Sequence, residues 1–114
     1  MFKVQNNQFN KDGQHYKLRE DTWNNGNCKL RGTYVNGKRY GSWKEYWLNG
    51  QLCIKCTYVN GQLHGLWEKY WNNGQLWEKG TYINGKERGM WEHYHKDGTI
   101  MKQIFYSKHL YEQD

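Results

Sequence analysis

The sequence predicts an all-β protein: an elongated, twisted single antiparallel sheet of tandem β-hairpins, with about nine strands. Three observations carry that expectation. First, Gly32 to Gln103 reads as three copies of one 24-residue unit: GTYVNGKRYGSWKEYWLNGQLCIK, CTYVNGQLHGLWEKYWNNGQLWEK and GTYINGKERGMWEHYHKDGTIMKQ. A period in this range marks a repeat architecture, in which each unit buries its apolar face against its neighbours. Second, DG or NG dipeptides end at Gly13, Gly26, Gly37, Gly50, Gly61, Gly74, Gly85 and Gly98, at spacings that alternate between 13 and 11. Such dipeptides between β-type runs signal hairpins, because a type I′ turn needs positive φ at both central residues. Third, the chain has 13 Gly and neither Ala nor Pro, which disfavours a helical repeat.

The 114 residues make one domain. Mean hydropathy is low, −1.23, yet aromatic residues make up 18%, including seven Trp and ten Tyr. Disordered chains are poor in rings, so the core is built from aromatics instead of aliphatics. The start MFKVQNNQFNKDG lacks a basic segment followed by an apolar run, and no apolar run approaches the ~20 residues of a spanning helix. A cytoplasmic location is the expectation, and an odd count of three Cys suits a reducing compartment. The net charge of +6 favours acidic or anionic partners in a non-specific way.

In chain order, a degenerate repeat spans 8–31, full repeats span 32–55, 56–79 and 80–103, and residues 104–114 form a closing strand and cap. Two-residue turns would pair Gly41 with Tyr58 and Trp43 with Cys56 across Asn49–Gly50. They would pair Gly65 with Tyr82 and Trp67 with Gly80 across Asn73–Gly74, and Gly89 with Tyr106 and Trp91 with Ile104 across Asp97–Gly98. These columns of Gly, Tyr and Trp are the structural residues of the repeat, each ring shielding a bare glycine on the facing strand. Alternation along the strands then puts Tyr34, Trp43, Trp47, Leu52, Ile54, Tyr58, Trp67, Trp71, Leu76, Tyr82 and Trp91 on a packing face. Tyr46, Tyr70, Trp77 and Tyr94 fall on a wet face among Lys44, Lys55, Glu68, Lys79 and Glu92.

Candidate chemistry is sparse. Cys53-Ile-Lys-Cys56 spells C-x-x-C, but both residues sit mid-strand and are expected on opposite faces, in packing columns. His93 and His95 share a strand face at a chelating spacing without an evident third ligand, so neither a metal nor another cofactor is expected. No paired acid and base, nucleophile elbow, P-loop or dinucleotide fingerprint is present, and the Glu residues lie beside Lys columns as cross-strand partners. The expectation is a protein that is not an enzyme, with no catalytic residue. What remains is a basic and aromatic surface. Tyr40, Lys44, Tyr46, Lys69 and Tyr70, with Trp77, Lys79, Arg88 and Tyr94, are the candidate partner- or ligand-binding residues. The plainer role for these Lys residues is to keep an open sheet from aggregating.

The pattern G-T-Y-x-N-G-x-x-x-G-x-W-x-x-Y-x-x-N-G-x-L resembles the variant form of the MORN repeat, and the chain is similar to small bacterial proteins of antitoxin-component type that carry it. The likeness covers Gly32 to Gln103 well and Gln8 to Arg31 weakly. Departures are Lys17 and Arg19 in the Gly and Trp columns, Cys56 in a Gly column, and His95 and Lys96 in place of a Trp–Leu pair. The resemblance implies one hairpin per repeat, no catalysis by the repeat, and roles in protein contacts, toxin neutralisation or immunity, or contact with anionic lipids. Three functions follow: a scaffold for a protein partner such as an acidic toxin or effector, a binder of an anionic lipid headgroup, nucleotide or nucleic acid, and a spacer that self-assembles through its edge strands.

Overall fold

A computed structural model describes residues 2–9, by their backbone, and residues 13–106. The aspartate of the first DG turn, Asp12, and the expected cap from Ser107 onward lie outside the described residues. The chain runs as a meander: β1 (Phe2–Phe9), β2 (His15–Thr22), β3 (Cys28–Val35), β4 (Lys38–Tyr46), β5 (Leu52–Val59), β6 (Gln62–Leu63), β7 (Gly65–Tyr70), β8 (Leu76–Ile83), β9 (Lys86–Tyr94) and β10 (Ile100–Tyr106). Each strand pairs antiparallel with the next in one open sheet, and β6 and β7 share a lane beside β5, interrupted at His64. Nine lanes result, as the turn signals predict. The sheet extends 43 × 42 Å and is 16 Å thick, a single layer. Among the described residues no helix is long and apolar enough to cross a membrane.

Two kinds of turn alternate, which accounts for the 13/11 spacing. Asn36–Gly37, Asn60–Gly61 and Asn84–Gly85 have φ near 50° at Asn and just above 80° at Gly, the two-residue I′ geometry. The other set is not two-residue, contrary to expectation. At Trp47–Gln51, the Trp47 N–H donates to the Gln51 carbonyl at 2.8 Å and the Gly50 N–H to the Trp47 carbonyl at 2.9 Å. That closes a three-residue loop with Gly50 at φ 89°, and the same bonds recur at Trp23–Asn27, Trp71–Gln75 and His95–Thr99.

A three-residue loop shifts the register by one, and a bulge shifts it back. Tyr46 pairs with Leu52 but Glu45 with Ile54, which leaves Cys53 as the extra residue; Trp77 is its counterpart between Tyr70↔Leu76 and Lys69↔Glu78. Beyond the bulges every expected pair is present: Gly41↔Tyr58, Trp43↔Cys56, Gly65↔Tyr82, Trp67↔Gly80, Gly89↔Tyr106 and Trp91↔Ile104. The bulge does revise the faces. Leu52 and Leu76, paired with Tyr46 and Tyr70, belong to the second face, while Trp77 and Cys53 turn to the first. Trp77 stacks there on Trp71 at 3.8 Å and 8°. Cys53 and Cys56 therefore share a face, and both are free thiols.

The first face covers itself with rings. Tyr34, Trp43 and Tyr58 meet edge to face at 5.3 and 6.0 Å, and Trp67, Tyr82, Trp91 and Tyr106 continue at 5.6, 5.1 and 6.1 Å. Trp43 is 1% exposed, packed with Leu30 and Cys56 and roofed by Arg39 at 4.2 Å. The glycine each ring covers is on the preceding strand, not the facing one expected. A Cβ on Gly32 would lie 2.0 Å from Trp43, and one on Gly80 would lie 2.1 Å from Trp91. Gly41 and Gly89 have nothing within 4 Å of that point; they serve through φ of 76° and 72°.

Candidate binding surface

Hairpins are riveted to one another at the three-residue loops. Trp23, Trp47 and Trp71 each donate Nε1–H to a carbonyl in the next hairpin, at Tyr46, Tyr70 and Tyr94, over 3.1–3.2 Å. Asn25, Asn49 and Asn73 do the same with their amides to Leu48, Asn72 and Lys96. The last loop carries His95 and Asp97 at these positions. Asp97 keeps only the acceptor function, taking Thr99 N–H at 2.9 Å and the Thr99 hydroxyl at 2.7 Å, which hold its carboxyl below its usual range. Among the described residues no hairpin follows β10.

The first face also holds Lys69, one of the candidate binding residues. Its Nζ sits 4.1 Å over Trp77, and Lys96 lies 5.4 Å from Trp71 on the stacked indoles. Lys69 and Trp77 are thus separated from the other candidates by the thickness of the sheet. Beside them Glu78 accepts from Trp67 Nε1 at 2.9 Å and lies 3.2 Å from His93 Nδ1. The His93–Tyr–His95 pair thus gives one imidazole to a carboxylate, and among the described residues no group of three His, Cys, Asp or Glu could hold a metal.

The second face brings together Tyr40, Lys44, Tyr46, Tyr70, Lys79, Arg88 and Tyr94, in three rungs that cross the sheet. One rung is tyrosine against aliphatic: Tyr46↔Leu52, Tyr70↔Leu76 and Tyr94↔Ile100. The middle rung is charged and unbroken, running Glu20, Arg31, Lys44, Lys55, Glu68, Lys79, Glu92, Gln103 through successive partners. Tyr70 and Tyr94 hydroxyls donate to Glu68 at 3.1 Å and Glu92 at 2.6 Å, tying these two rungs. Burial and then Glu68 raise the Tyr70 phenol; the Glu92 bond and then burial raise that of Tyr94. Glu92, accepting from Tyr94 and Gln103 and lying 3.9 Å from Lys79, is held below its usual range.

The third rung contains residues that sequence reasoning missed. Leu66, Met90 and Phe105 are 50, 51 and 64% exposed, with Met90 and Phe105 directly paired and Leu66 opposite Thr81. The signal was available: Leu66 and Met90 each lie between a glycine and a tryptophan of the first face, so they must point away from it. Tyr40, 50% exposed opposite Thr33, and Arg88, opposite Thr81, belong to the same end of the strands but are four lanes apart, roughly 19 Å at the ordinary strand spacing. Two shallow grooves lie on this face over β2–β4. One of ≈ 380 Å³ includes Leu18, Glu20, Arg31 and Lys44 in its lining, and one of ≈ 570 Å³ includes Tyr16, Val35 and Tyr40; both include Thr33 and Ser42.

A single-layer array of hairpins, stapled loop to loop and covered on one face by its own rings, defines a β-repeat scaffold. The family of MORN repeat variants matches the chain at residues 39–60, 63–84 and 88–108, more than half of its length. The chain belongs to that family, whose repeats are generally non-catalytic. Each match takes in one hairpin closed by a three-residue loop, β4–β5, β6/β7–β8 and β9–β10, with the period read from the sequence at a different phase. No curated protein and no solved structure matches the chain.

Proposed function

We propose that this protein is a non-catalytic scaffold that binds a protein partner across the second face of its sheet. The observation that carries the reading is the exposed pair Met90–Phe105, with exposed Leu66 two strands away on the same face beyond Thr81, set beside a rung of charges. An apolar centre rich in Met and aromatic residues with a polar rim is the composition of a protein interface. On the first face Trp43 and Trp91 are 1% and 3% exposed and offer little surface to a partner. The carboxylates support a non-catalytic role, since Glu20, Asp21, Glu68, Glu78 and Glu92 are committed to partners within the sheet. In its finer form the partner is a toxin or effector that the scaffold neutralises by covering it. That form rests on the likeness to antitoxin-type repeat proteins and on the net charge of +6, which suits an acidic partner.

The test is a tagged capture from native lysate, washed at low and high salt, run beside a Leu66→Glu/Met90→Glu variant. One stoichiometric protein retained by the parent chain at high salt and lost by the variant is the expected result. Equal retention by both chains, or retention of nothing that survives salt, would remove the second face from the account.

A further inference from the structure

The charged rung alternates in sign except at one place. Lys44 is flanked by Arg31 on one side and Lys55 on the other, so three cations stand on adjacent strands. Like charges directly opposite one another destabilise a sheet, and every other cation of this rung has a carboxylate beside it. Arg31 bonds Glu20 at 2.8 Å and Lys55 faces Glu68, but Lys44 faces cations only. A Glu at this position would have completed the alternation. Lys44 lines instead the ≈ 380 Å³ groove, together with Arg31, Thr33, Ser42 and the Glu20 carboxylate that Arg31 already neutralises.

We infer that Lys44 with Arg31, Thr33 and Ser42 forms a binding site for a small phosphomonoester whose planar body lies toward Tyr40. A phosphomonoester carries nearly two negative charges and three acceptor oxygens. The ammonium, the donors that Arg31 does not give to Glu20, and two hydroxyls match it in number and sign. Groove size favours a free small molecule over a polymer, because pockets of about 300–1,000 Å³ suit such ligands. The neighbouring ≈ 570 Å³ groove shares Thr33 and Ser42 and is walled by Tyr16 and Tyr40, so it is placed for the body of the ligand. Tyr40 is half exposed and free to stack on a planar ring. This site lies over β2–β4, apart from the Leu66–Met90–Phe105 row, and does not depend on the protein-partner reading.

Nuclear magnetic resonance titrations of the whole protein with inorganic phosphate, adenosine monophosphate and adenosine test it. Saturable shifts of Thr33, Ser42 and Lys44 amides are expected with adenosine monophosphate below roughly 1 mM, with phosphate at least tenfold weaker and adenosine weaker still. Lys44→Glu should weaken adenosine monophosphate at least tenfold while leaving the melting temperature unchanged or higher, and Tyr40→Ala should weaken the nucleotide but not phosphate. Lys44→Met, which keeps the stem and removes the charge, gives the same loss should the Glu variant fail to fold. The inference is overturned if Lys44→Glu and Lys44→Met bind as the parent does. It is likewise overturned if both lower the melting temperature, or if phosphorylated headgroups bind only when presented on vesicles.

Discussion

At the scale of single residues, Cys56 explains the irregular centre of the sheet. Trp43 and Trp91 lie flat over Gly32 and Gly80 and donate Nε1–H to the carbonyls of Thr33 and Thr81, at 3.0 and 3.3 Å. Trp67 meets a cysteine in the equivalent column. Its Nε1 turns to Glu78, it stays partly exposed, and the run of edge-to-face rings is interrupted between Tyr58 and Trp67. A Cβ in that column therefore evicts the indole, which gives Gly80→Ala a definite outcome. Trp91 should leave Thr81 and become exposed, with stability falling by about 1–3 kcal/mol as overpacked cores do. Urea denaturation and the Trp91 indole proton resonance would measure both. An unshifted resonance with unchanged stability would mean that the glycine column does not control ring position.

At the scale of elements, the three-residue loops show why Asn and Asp are not interchangeable along the array. In Asn49 the side-chain oxygen accepts Gln51 N–H at 2.9 Å while the amide reaches the Asn72 carbonyl at 2.8 Å. Asn49→Asp keeps the first bond, loses the second and turns a carboxylate toward a carbonyl. The expected cost is about 1–2 kcal/mol, a lost hydrogen bond plus repulsion. Asp97→Asn, at the loop with no described neighbour, should change stability by less than about 0.5 kcal/mol. Thermal denaturation of the pair is decisive: equal losses would show that the inter-hairpin amide bonds contribute nothing.

These loops also show what the sequence could and could not disclose. Turn positions, lanes and the distant pairings were legible because Asn-Gly and the Gly, Tyr and Trp columns recur at fixed intervals. The two-residue reading of the turns at Asn49, Asn73 and Asp97 nevertheless gave correct pairs for a wrong local reason. An extra loop residue and the bulged Cys53 or Trp77 cancel in register, so the error surfaces only at Leu52, Cys53, Leu76 and Trp77, which change face. A period-two pattern carries no mark of a bulge, whereas a stacked Trp71–Trp77 pair does. The candidate surface suffered most: Lys69 and Trp77 were grouped with residues of the opposite face, and the apolar row was passed over because it is not aromatic in every repeat.

At the scale of the whole molecule, a single-layer sheet covers its rings and thiols from one side, and their titration reports that cover. The Cα radius of gyration is 16.3 Å, against roughly 13 Å for a compact chain of this length. Even so, burial followed by Glu45 raises the Cys56 thiol from 9.0 to about 11. Burial, then Glu87 and Glu78, raises the Tyr82 phenol from 10.0 to about 12. Both groups are neutral when protonated, so between pH 9 and 12 the unfolded chain releases protons that the folded chain retains. The folded state binds more protons there, and stability falls as pH rises through that window. A melting temperature level to pH 9 and declining steadily toward pH 12 is the expected curve. Cys56→Ser, which has no thiol to titrate, should flatten its first part, from pH 9 to about 11. A parent protein whose melting temperature stays level to pH 12 would mean that neither group is sheltered, and that the rings lie open on the first face.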